Sequence, residues 1–167
     1  MPVSLVIDVN LLKKAYLNKS RILHPDFHMD KSEQEQEEVL KQASFNNKAY
    51  KTLKSDEARL KYILELHDAL GAEGTHALPQ AFLMEMMDIN ERIMDMQMSD
   101  NQEEESVIIE EVESFSESLY KDVKNIYDGY SYEQVKEEEL IILKEFYFKR
   151  KYLRRIRENL NKFAPDL

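Results

Sequence analysis

The tripeptide His24-Pro25-Asp26 is the part of this sequence whose residue types indicate a definite chemistry. Proline restricts the backbone of a loop, and the short carboxylate of Asp26 is a charge-assisted hydrogen-bond acceptor for a cation on a partner. The preceding stretch, residues 9–25, has no acidic residue and four basic ones, which are Lys13, Lys14, Lys19 and Arg21. Such a basic stretch steers a protein toward an acidic surface. The pattern predicts a binding loop; the simpler alternative is that His24 and Asp26 only cap a turn.

Other arrangements that carry chemistry are not supported by the residue types. His24 and His28 are four residues apart, but Pro25 breaks a helix at that point and a full set of metal ligands is missing. The chain has no cysteine, which excludes disulfides, thiolate zinc sites, iron–sulfur ligation by this chain and a cysteine nucleophile. No Ser-His-Asp arrangement or phosphate loop stands out. We therefore expect a protein that is not an enzyme and holds no metal or cofactor.

Composition places these residues in a helical protein. The 167 residues include only 3 Gly and 4 Pro and carry a net charge of −10, and high charge with little glycine is typical of long helices with solvated faces. The negative charge disfavours nucleic acid as a partner, because phosphate contacts need Lys and Arg. The sequence contains no apolar run long enough for a membrane span and no signal peptide. We expect a cytoplasmic, all-α protein.

Three helices are predicted in the first part of the chain. The first runs from an N-cap at Asp8 to Leu23, the second from Ser32 to Lys54 and the third from Asp56 to Leu66. Helical spacing gives the first helix one apolar face, made of Leu12, Ala15, Tyr16, Ile22 and Leu23. It gives the second helix a stripe of Val39, Ala43, Asn46, Tyr50 and Leu53. The two helices form a basic and acidic antiparallel pair joined by the loop at 24–31.

Residues 67–79 hold Gly71, Gly74 and Pro79 and form the clearest linker. The histidines at its ends, His67 and His76, are expected at the surface. Three apolar stripes follow and predict an antiparallel three-helix bundle. The first stripe is Phe82, Met86, Ile89, Ile93 and Met96; the second is Ile108, Val112, Phe115, Leu119 and Ile126. The third is Tyr132, Val135, Ile142, Phe146, Leu153, Ile156, Leu160 and Phe163.

Six of the eight methionines fall between residues 84 and 98. They either fill an irregular core or form an adaptable binding surface. Spacing assigns Met86 and Met96 to the core stripe. The adjacent face mixes apolar and acidic residues, which suits recognition of a partner better than core packing. That face consists of Leu83, Met84, Met87, Asp88, Glu91 and Asp95.

Residues 141–162 carry eight basic and two acidic side chains. One interpretation is a nucleic-acid surface. The favoured one is that these cations complement the acidic helix that contains residues 103–117, a stretch with seven Glu and no basic residue.

Several segments together resemble a known family. The tripeptide after a basic helix, followed by residues 46–53 (NNKAYKTL), resembles a J-domain, whose helix II, His-Pro-Asp loop and helix III engage an ATPase chaperone of the DnaK type. Residues 55–67 (SDEARLKYILELH) and 78–88 (LPQAFLMEMMD) narrow the resemblance to the HscB family, the J-type co-chaperones of iron–sulfur cluster assembly. The likeness is strong across 24–98 and is limited to the general pattern after about residue 100. A general J-domain co-chaperone or a helical interaction module with a different client, or with a second copy of this chain, is the alternative.

The resemblance implies a division into a J-domain at 1–68, a linker at 69–79 and a scaffold-binding bundle at 80–167. It implies that the protein stimulates ATP hydrolysis by an HscA- or DnaK-type chaperone and delivers an IscU-type cluster scaffold to it. The implied chaperone-binding residues are Lys13, Lys14, Arg21, His24, Pro25 and Asp26. The implied scaffold-binding residues are Leu83, Met84, Met87, Asp88, Glu91, Asp95 and Phe148, with Tyr147 as the alternative to Phe148. Asp88 and Asp95 are shorter than the glutamates usual in the family.

One departure from the family pattern affects the hairpin. The chain begins inside the loop that precedes helix II, so the J-domain's helix I is absent from this sequence. We expect the hairpin to lose part of its apolar cover, with Leu12, Tyr16, Val39 or Ala43 among the exposed residues, and chaperone stimulation to suffer.

Overall fold

The computed structural model describes residues 3–71, 76–99 and 102–161. Regular structure in these ranges is entirely helical, which confirms the predicted all-α class. The helices are α1 Val9–Ile22, α2 Glu33–Lys54, α3 Asp56–Leu66, α4 Gln80–Ser99, α5 Gln102–Asp128 and α6 Glu137–Asn161, with a short 3-10 helix at Pro25–His28 between α1 and α2. Within the same ranges, every helix is too short or too polar to cross a membrane.

The first three helices begin where capping chemistry predicts. The Asp8 carboxylate accepts hydrogen bonds from the backbone N–H groups of Asn10 and Leu11 at the start of α1. At α2, Ser32 and Glu35 form a reciprocal capping box, and the hydrogen bonds from Ser32 hold the pKa of Glu35 below its usual value. The Ser55 hydroxyl caps α3 by accepting a hydrogen bond from the backbone N–H of Ala58. These bonds satisfy backbone donors that a helix N-terminus leaves unpaired.

The α1–α2 hairpin is held by rings and amides along the predicted α2 stripe, whose five residues are all partly buried. The Tyr16 ring stacks on Tyr50 with centroids 4.1 Å apart, and its hydroxyl donates to Asn47 at 2.9 Å. The Asn46 amide donates to the Tyr16 carbonyl and to the Ser20 hydroxyl. The hairpin therefore has a polar seam as well as an apolar one.

None of the four residues expected to be exposed on this hairpin is fully exposed. Leu12 is buried. It borders a small cavity of about 160 Å³ whose wall also includes Val3, Ile7, Leu53 and Ile63. Tyr16, Val39 and Ala43 are half-buried. The predicted α1 face also fails at Ala15 and Ile22, which are exposed. Within the two helices themselves, the large apolar side chains that are most exposed are Leu11, Ile22, Leu40 and Phe45.

One continuous core joins α3 to the last three helices. Leu60 and Leu64 of α3 are fully buried in the same cluster as Met86, Ile108 and Leu143. The whole predicted α4 stripe is buried. On α5, Ile108, Val112 and Leu119 are buried, and Phe115 and Ile126 pack against the core.

The predicted α6 stripe needs correction at its start. Tyr132 precedes the helix and is exposed, and Ile142 is also exposed. Leu143 takes the core position instead, because it lies three residues before Phe146 and a step of three fits a helical stripe as well as a step of four. Leu153, Ile156 and Leu160 are buried as predicted. Gly74 and Phe163 lie outside the described residues.

Candidate functional site

The loop after α1 is built by the backbone bonds of its own short helix. His24 is the N-cap of the 3-10 helix: its Nδ1 accepts from the Asp26 backbone N–H at 3.3 Å, and its carbonyl accepts from the Phe27 N–H at 3.1 Å. The His28 ring donates from Nε2 to the Ile22 carbonyl at 2.7 Å, which ties the end of the loop back to α1. These bonds fix the backbone that presents the Asp26 side chain.

The alternative that His24 and Asp26 only cap a turn accounts for the His24 side chain but not for the Asp26 side chain. The Asp26 side chain is 76% exposed, and its contact with a charged group among the described residues is a 3.6 Å approach to His24 Nδ1. An exposed carboxylate on a bonded backbone is available to a partner cation. The structure thus leaves Asp26 in position for recognition of an external group.

Helix α1 and the loop that follows it expose both cations and apolar side chains. Lys13, Lys14 and Arg21 of α1 are all exposed, as a steering surface requires. Phe27 and Met29 are also exposed, although both are large and apolar. The sequence analysis did not select these two residues. Their position as large apolar side chains within a polar loop was the feature that could have identified them. They give the loop apolar contact area beside its charges.

A second surface lies on the outer side of α4. Met84, Met87, Asp88, Glu91 and Asp95 are exposed, and Leu83 is half-buried where it packs against the core. The buried α4 stripe occupies the opposite side of the same helix. Met84 and Met87 therefore lie on the surface, where their role in binding stays a prediction, and Met86 and Met96 lie in the core as predicted.

The two aromatic candidates on α6 have different environments. Tyr147 is 5% exposed and belongs to the core, and burial raises the pKa of its hydroxyl. Phe148 is half-buried at the edge of the core, where its ring stacks on His76 with centroids 4.4 Å apart. Of the pair, Phe148 is the residue with surface left for a partner.

Both linker histidines are less exposed than expected. His67 is half-buried, and its Nε2 lies 2.9 Å from the Tyr130 hydroxyl. His76 is half-buried against Phe148, and its Nε2 is buried without a partner. Burial, followed by the nearby charge of Lys144, lowers the pKa of His76. The sequence analysis did not consider that each histidine ring contacts an aromatic side chain, which is Tyr130 for His67 and Phe148 for His76.

A cleft of about 800 Å³ lies between α3, the linker and α6. Phe148 and His76 form part of its wall, which also carries both basic and acidic side chains: Lys61, Lys151, Arg155, Glu65 and Asp68. The cleft is next to the aromatic candidate on α6, whereas the α4 residues do not line it. It is a separate feature from the outer face of α4.

The basic side chains of α6 are largely engaged within the protein. Arg157 pairs with Glu113 of α5 at 2.5 Å, and Arg154 pairs with Glu57 of α3 at 2.7 Å. The main neutraliser of the acidic α5 stretch is on α4: Arg92 bonds Glu104 and Glu111 at 2.8 and 2.5 Å. These bonds raise the pKa of the Arg92 guanidinium. The cations of α6 therefore pair with acidic residues of α3 as well as α5. The acidic stretch of α5 is neutralised by α4 as well as by α6.

Comparison with known proteins assigns the C-terminal helices and the fold as a whole. Residues 78–161 match the family model described as the HSCB C-terminal oligomerisation domain. The chain is 35% identical over 115 residues to the iron–sulfur cluster co-chaperone protein HscB of Mus musculus, covering 68% of this chain and 49% of that protein. It is 35% identical over 104 residues to the co-chaperone protein HscB of Proteus mirabilis, covering 62% and 60%. The matches thus span about half to three fifths of these relatives' length.

The solved structures agree over nearly the whole chain. The crystal structure of human co-chaperone protein HscB superposes with a TM-score of 0.81 at 25% identity, covering 98% of this chain and 78% of that one. Chaperone HscB from Vibrio cholerae gives a TM-score of 0.75 at 20% identity, covering 97% and 91%, and supports the fold alone.

Proposed function

The chain belongs to the HscB family of co-chaperones, and from this premise we propose that it couples an ATPase chaperone to an iron–sulfur cluster scaffold. In this proposal the protein stimulates ATP hydrolysis by an HscA- or DnaK-type chaperone and delivers an IscU-type scaffold to it. It performs no catalysis itself, and the cluster stays on the scaffold's ligands. A cytoplasmic location is part of the same proposal.

The observation that carries the proposal is the presence of two exposed recognition surfaces on one helical framework. The first, which we call the loop surface, consists of Lys13, Lys14, Arg21, His24, Pro25 and Asp26. The second, which we call the α4 face, consists of Leu83, Met84, Met87, Asp88, Glu91 and Asp95, with Phe148 of α6 proposed as an additional contact. One surface combines cations with the exposed carboxylate of Asp26, and the other is apolar with acidic neighbours, so the two suit different partners.

The loop surface suits an acidic patch on a chaperone that also offers one cation. Lys13, Lys14 and Arg21 speed and orient encounter with the acidic patch. Asp26 then accepts from the cation of the partner, and Pro25 limits the entropy lost when the loop is fixed. Each step is binding, which agrees with a role in triggering a reaction that the chaperone performs.

The α4 face suits a scaffold that presents an apolar patch with basic residues around it. Met84 and Met87 supply adaptable apolar contacts, and the carboxylates at 88, 91 and 95 select for basic neighbours. Holding both partners on one body raises the effective concentration of scaffold at the chaperone.

The chaperone arm of the proposal is tested with Asp26→Asn. We expect this change to remove most of the stimulation of ATP hydrolysis in a single-turnover assay with a DnaK-type chaperone, because an amide cannot form the charge-assisted bond. Scaffold affinity stays within twofold. The matched control is Asp30→Asn, an exposed aspartate in the same loop, which keeps full stimulation. Equal activity of both variants would rule out the role assigned to Asp26.

The scaffold arm is tested with Met87→Ala in a calorimetric titration of an IscU-type scaffold. Truncation of a central apolar contact costs about 1–3 kcal/mol in binding, so we expect Kd to rise by about tenfold. Stimulation by the loop surface is unaffected. Val107→Ala shortens another exposed apolar side chain, on α5, and is the control. An unchanged Kd for Met87→Ala contradicts the assignment, and stimulation without any scaffold binding favours a general J-domain co-chaperone.

A second candidate function comes from the name of the matched family model, an oligomerisation domain. Under that alternative the bundle binds a second copy of this chain. Light scattering across a concentration series separates the two cases. A self-associating bundle gives an average mass that rises with protein concentration, and the Met87→Ala variant then has a different mass from the wild-type protein at the same concentration.

A further inference from the structure

The outer side of α4 carries more methionine than the α4 face uses. Met84 and Met87 are 59% and 67% exposed, and Met94 and Met98, further along the helix, are 64% and 87% exposed. Met86 and Met96 of the same helix are 0% and 6% exposed. One helix therefore contains four accessible thioethers and two protected ones.

The accessible thioethers share one helical surface. Positions 84, 87, 91, 94 and 98 step by three and four, so at about 100° per residue they fall within an arc of about 80°. The stripe from Met84 to Met98 is about 21 Å long at 1.5 Å per residue. Glu91 occupies its middle position. We call Met84, Met87, Met94 and Met98 the methionine stripe.

Oxidation would change this surface from apolar to polar. A peroxide transfers one oxygen atom to the sulfur lone pair: an S–O bond forms, the O–O bond breaks, and water or an alcohol leaves. The sulfur is oxidised by two electrons and the peroxide is reduced by two. The sulfoxide is polar and chiral, and methionine sulfoxide reductases reverse the step with electrons from thiols.

The position of the stripe gives such a change a consequence. A sulfoxide oxygen is a hydrogen-bond acceptor that must be desolvated if a partner covers it, and burial of an unpaired polar group is unfavourable. The neighbouring carboxylate of Glu91 is another hydrogen-bond acceptor and does not pair with a sulfoxide oxygen. Oxidation of the stripe therefore weakens an apolar contact without offering the partner a replacement.

We propose that the methionine stripe of α4 is a reversible oxidation site, and that peroxide oxidation of it releases the cluster scaffold. The modification stands on the exposure and placement of the four thioethers, and its effect on the scaffold rests on the proposed function. The device would lower delivery of the scaffold when peroxides are present and restore it after reduction.

Peptide mass spectrometry after timed hydrogen peroxide treatment of the full chain tests the modification itself. We expect the four stripe methionines to gain oxygen at least tenfold faster than Met86 and Met96, while far-ultraviolet circular dichroism stays unchanged. Equal rates in a folded protein overturn the proposal.

Scaffold titration tests the effect, with peroxide removed before mixing so that the scaffold is never oxidised. We expect Kd for the wild-type protein to rise at least tenfold after treatment and to return after incubation with methionine sulfoxide reductases. The quadruple variant M84L/M87L/M94L/M98L is compared with itself before and after treatment, and its Kd should not respond. Met29→Leu removes an exposed methionine outside the stripe and should remain sensitive.

The outcomes separate the two proposals. Scaffold binding that persists after complete oxidation of the stripe overturns the oxidation site and leaves the proposed function intact. If the quadruple variant loses as much affinity after peroxide treatment as the wild-type protein does, the effect comes from another residue. That outcome also overturns the oxidation site. Failure of the untreated wild-type protein to bind scaffold overturns the proposed function, and the release mechanism with it.

Discussion

Replacing Arg59 with methionine is expected to destabilise the protein by about 3 kcal/mol. The Arg59 side chain is only 5% exposed, and it donates to three acceptors on different segments. Nε bonds the Leu5 carbonyl at 3.0 Å, and the guanidinium NH groups bond the Leu53 carbonyl and the Asp56 carboxylate. Arg59 thereby joins the N-terminal segment, the end of α2 and the start of α3.

The magnitude follows from what each acceptor does after the change. Asp56 is exposed and returns to water at little cost. The buried carbonyl of Leu5 and the partly buried carbonyl of Leu53 lose their donor, at about 1–3 kcal/mol each and so about 2–6 kcal/mol together. Removing a buried charge recovers part of its desolvation penalty, which places the net loss near the lower half of that range. For a chain of this size about 3 kcal/mol corresponds to a fall in Tm of about 6–12 °C.

Urea and thermal unfolding followed by circular dichroism measure the effect. Arg155→Met is the matched control, because Arg155 is an exposed arginine of α6, and its Tm should stay within about 2 °C, as for ordinary surface substitutions. Limited proteolysis should also cut Arg59→Met faster within residues 3–8, since Leu5 loses its anchor. A loss below about 1 kcal/mol would refute the view that Arg59 fastens the N-terminal segment.

Two further predictions concern capping and pH. Ser32→Ala removes the N-cap of α2 and should cost about 1 kcal/mol of unfolding free energy; it should also raise the pKa of Glu35 toward 4.5, measured by carboxyl NMR, because Ser32 provides the bonds that lower it. Burial and Lys144 hold the pKa of His76 below 6.5, against the opposing charge of Glu145. A lowered histidine pKa contributes stability above pH 6.5 that is lost as the pH falls, so His76→Gln should lose less stability than wild type between pH 7 and 5 in urea titrations. A parallel pH profile in the variant would contradict the role of His76.

Sequence alone predicts the helices closely because their starts depend on local chemistry. Asp8, Ser32 and Ser55 each cap the helix that follows them, and capping needs only the side chain and the next three backbone groups. The α4 stripe was also predictable, since it keeps strict steps of three and four and one face is fully buried. The loop at His24 was recognisable because proline and the short acid restrict it independently of the rest of the fold.

Positions that depend on distant segments were not predictable in the same way. Leu12 is buried beside a cavity that Val3 and Ile7 of the N-terminal segment also line, and Arg59 on the distant helix α3 bonds the Leu5 carbonyl of the same segment. Ile142 and Leu143 are equally apolar neighbours, and the packing of α5 against α6 decides which of them enters the core. Similarly, Phe148 keeps an exposed edge because Tyr147 takes the buried position beside it.

The proposed coupling of the two surfaces depends most on α3. This helix packs against α2 on one side and α6 on the other, and its Leu60 and Leu64 are fully buried in the core shared with α4. The ion pair between Arg154 and Glu57 adds a polar contact at the same junction. A flexible connection would allow the scaffold and the chaperone to sample many separations, which lowers their effective concentration. A packed junction restricts that sampling, so the free energy that holds α3 in place also sets how efficiently one partner is presented to the other.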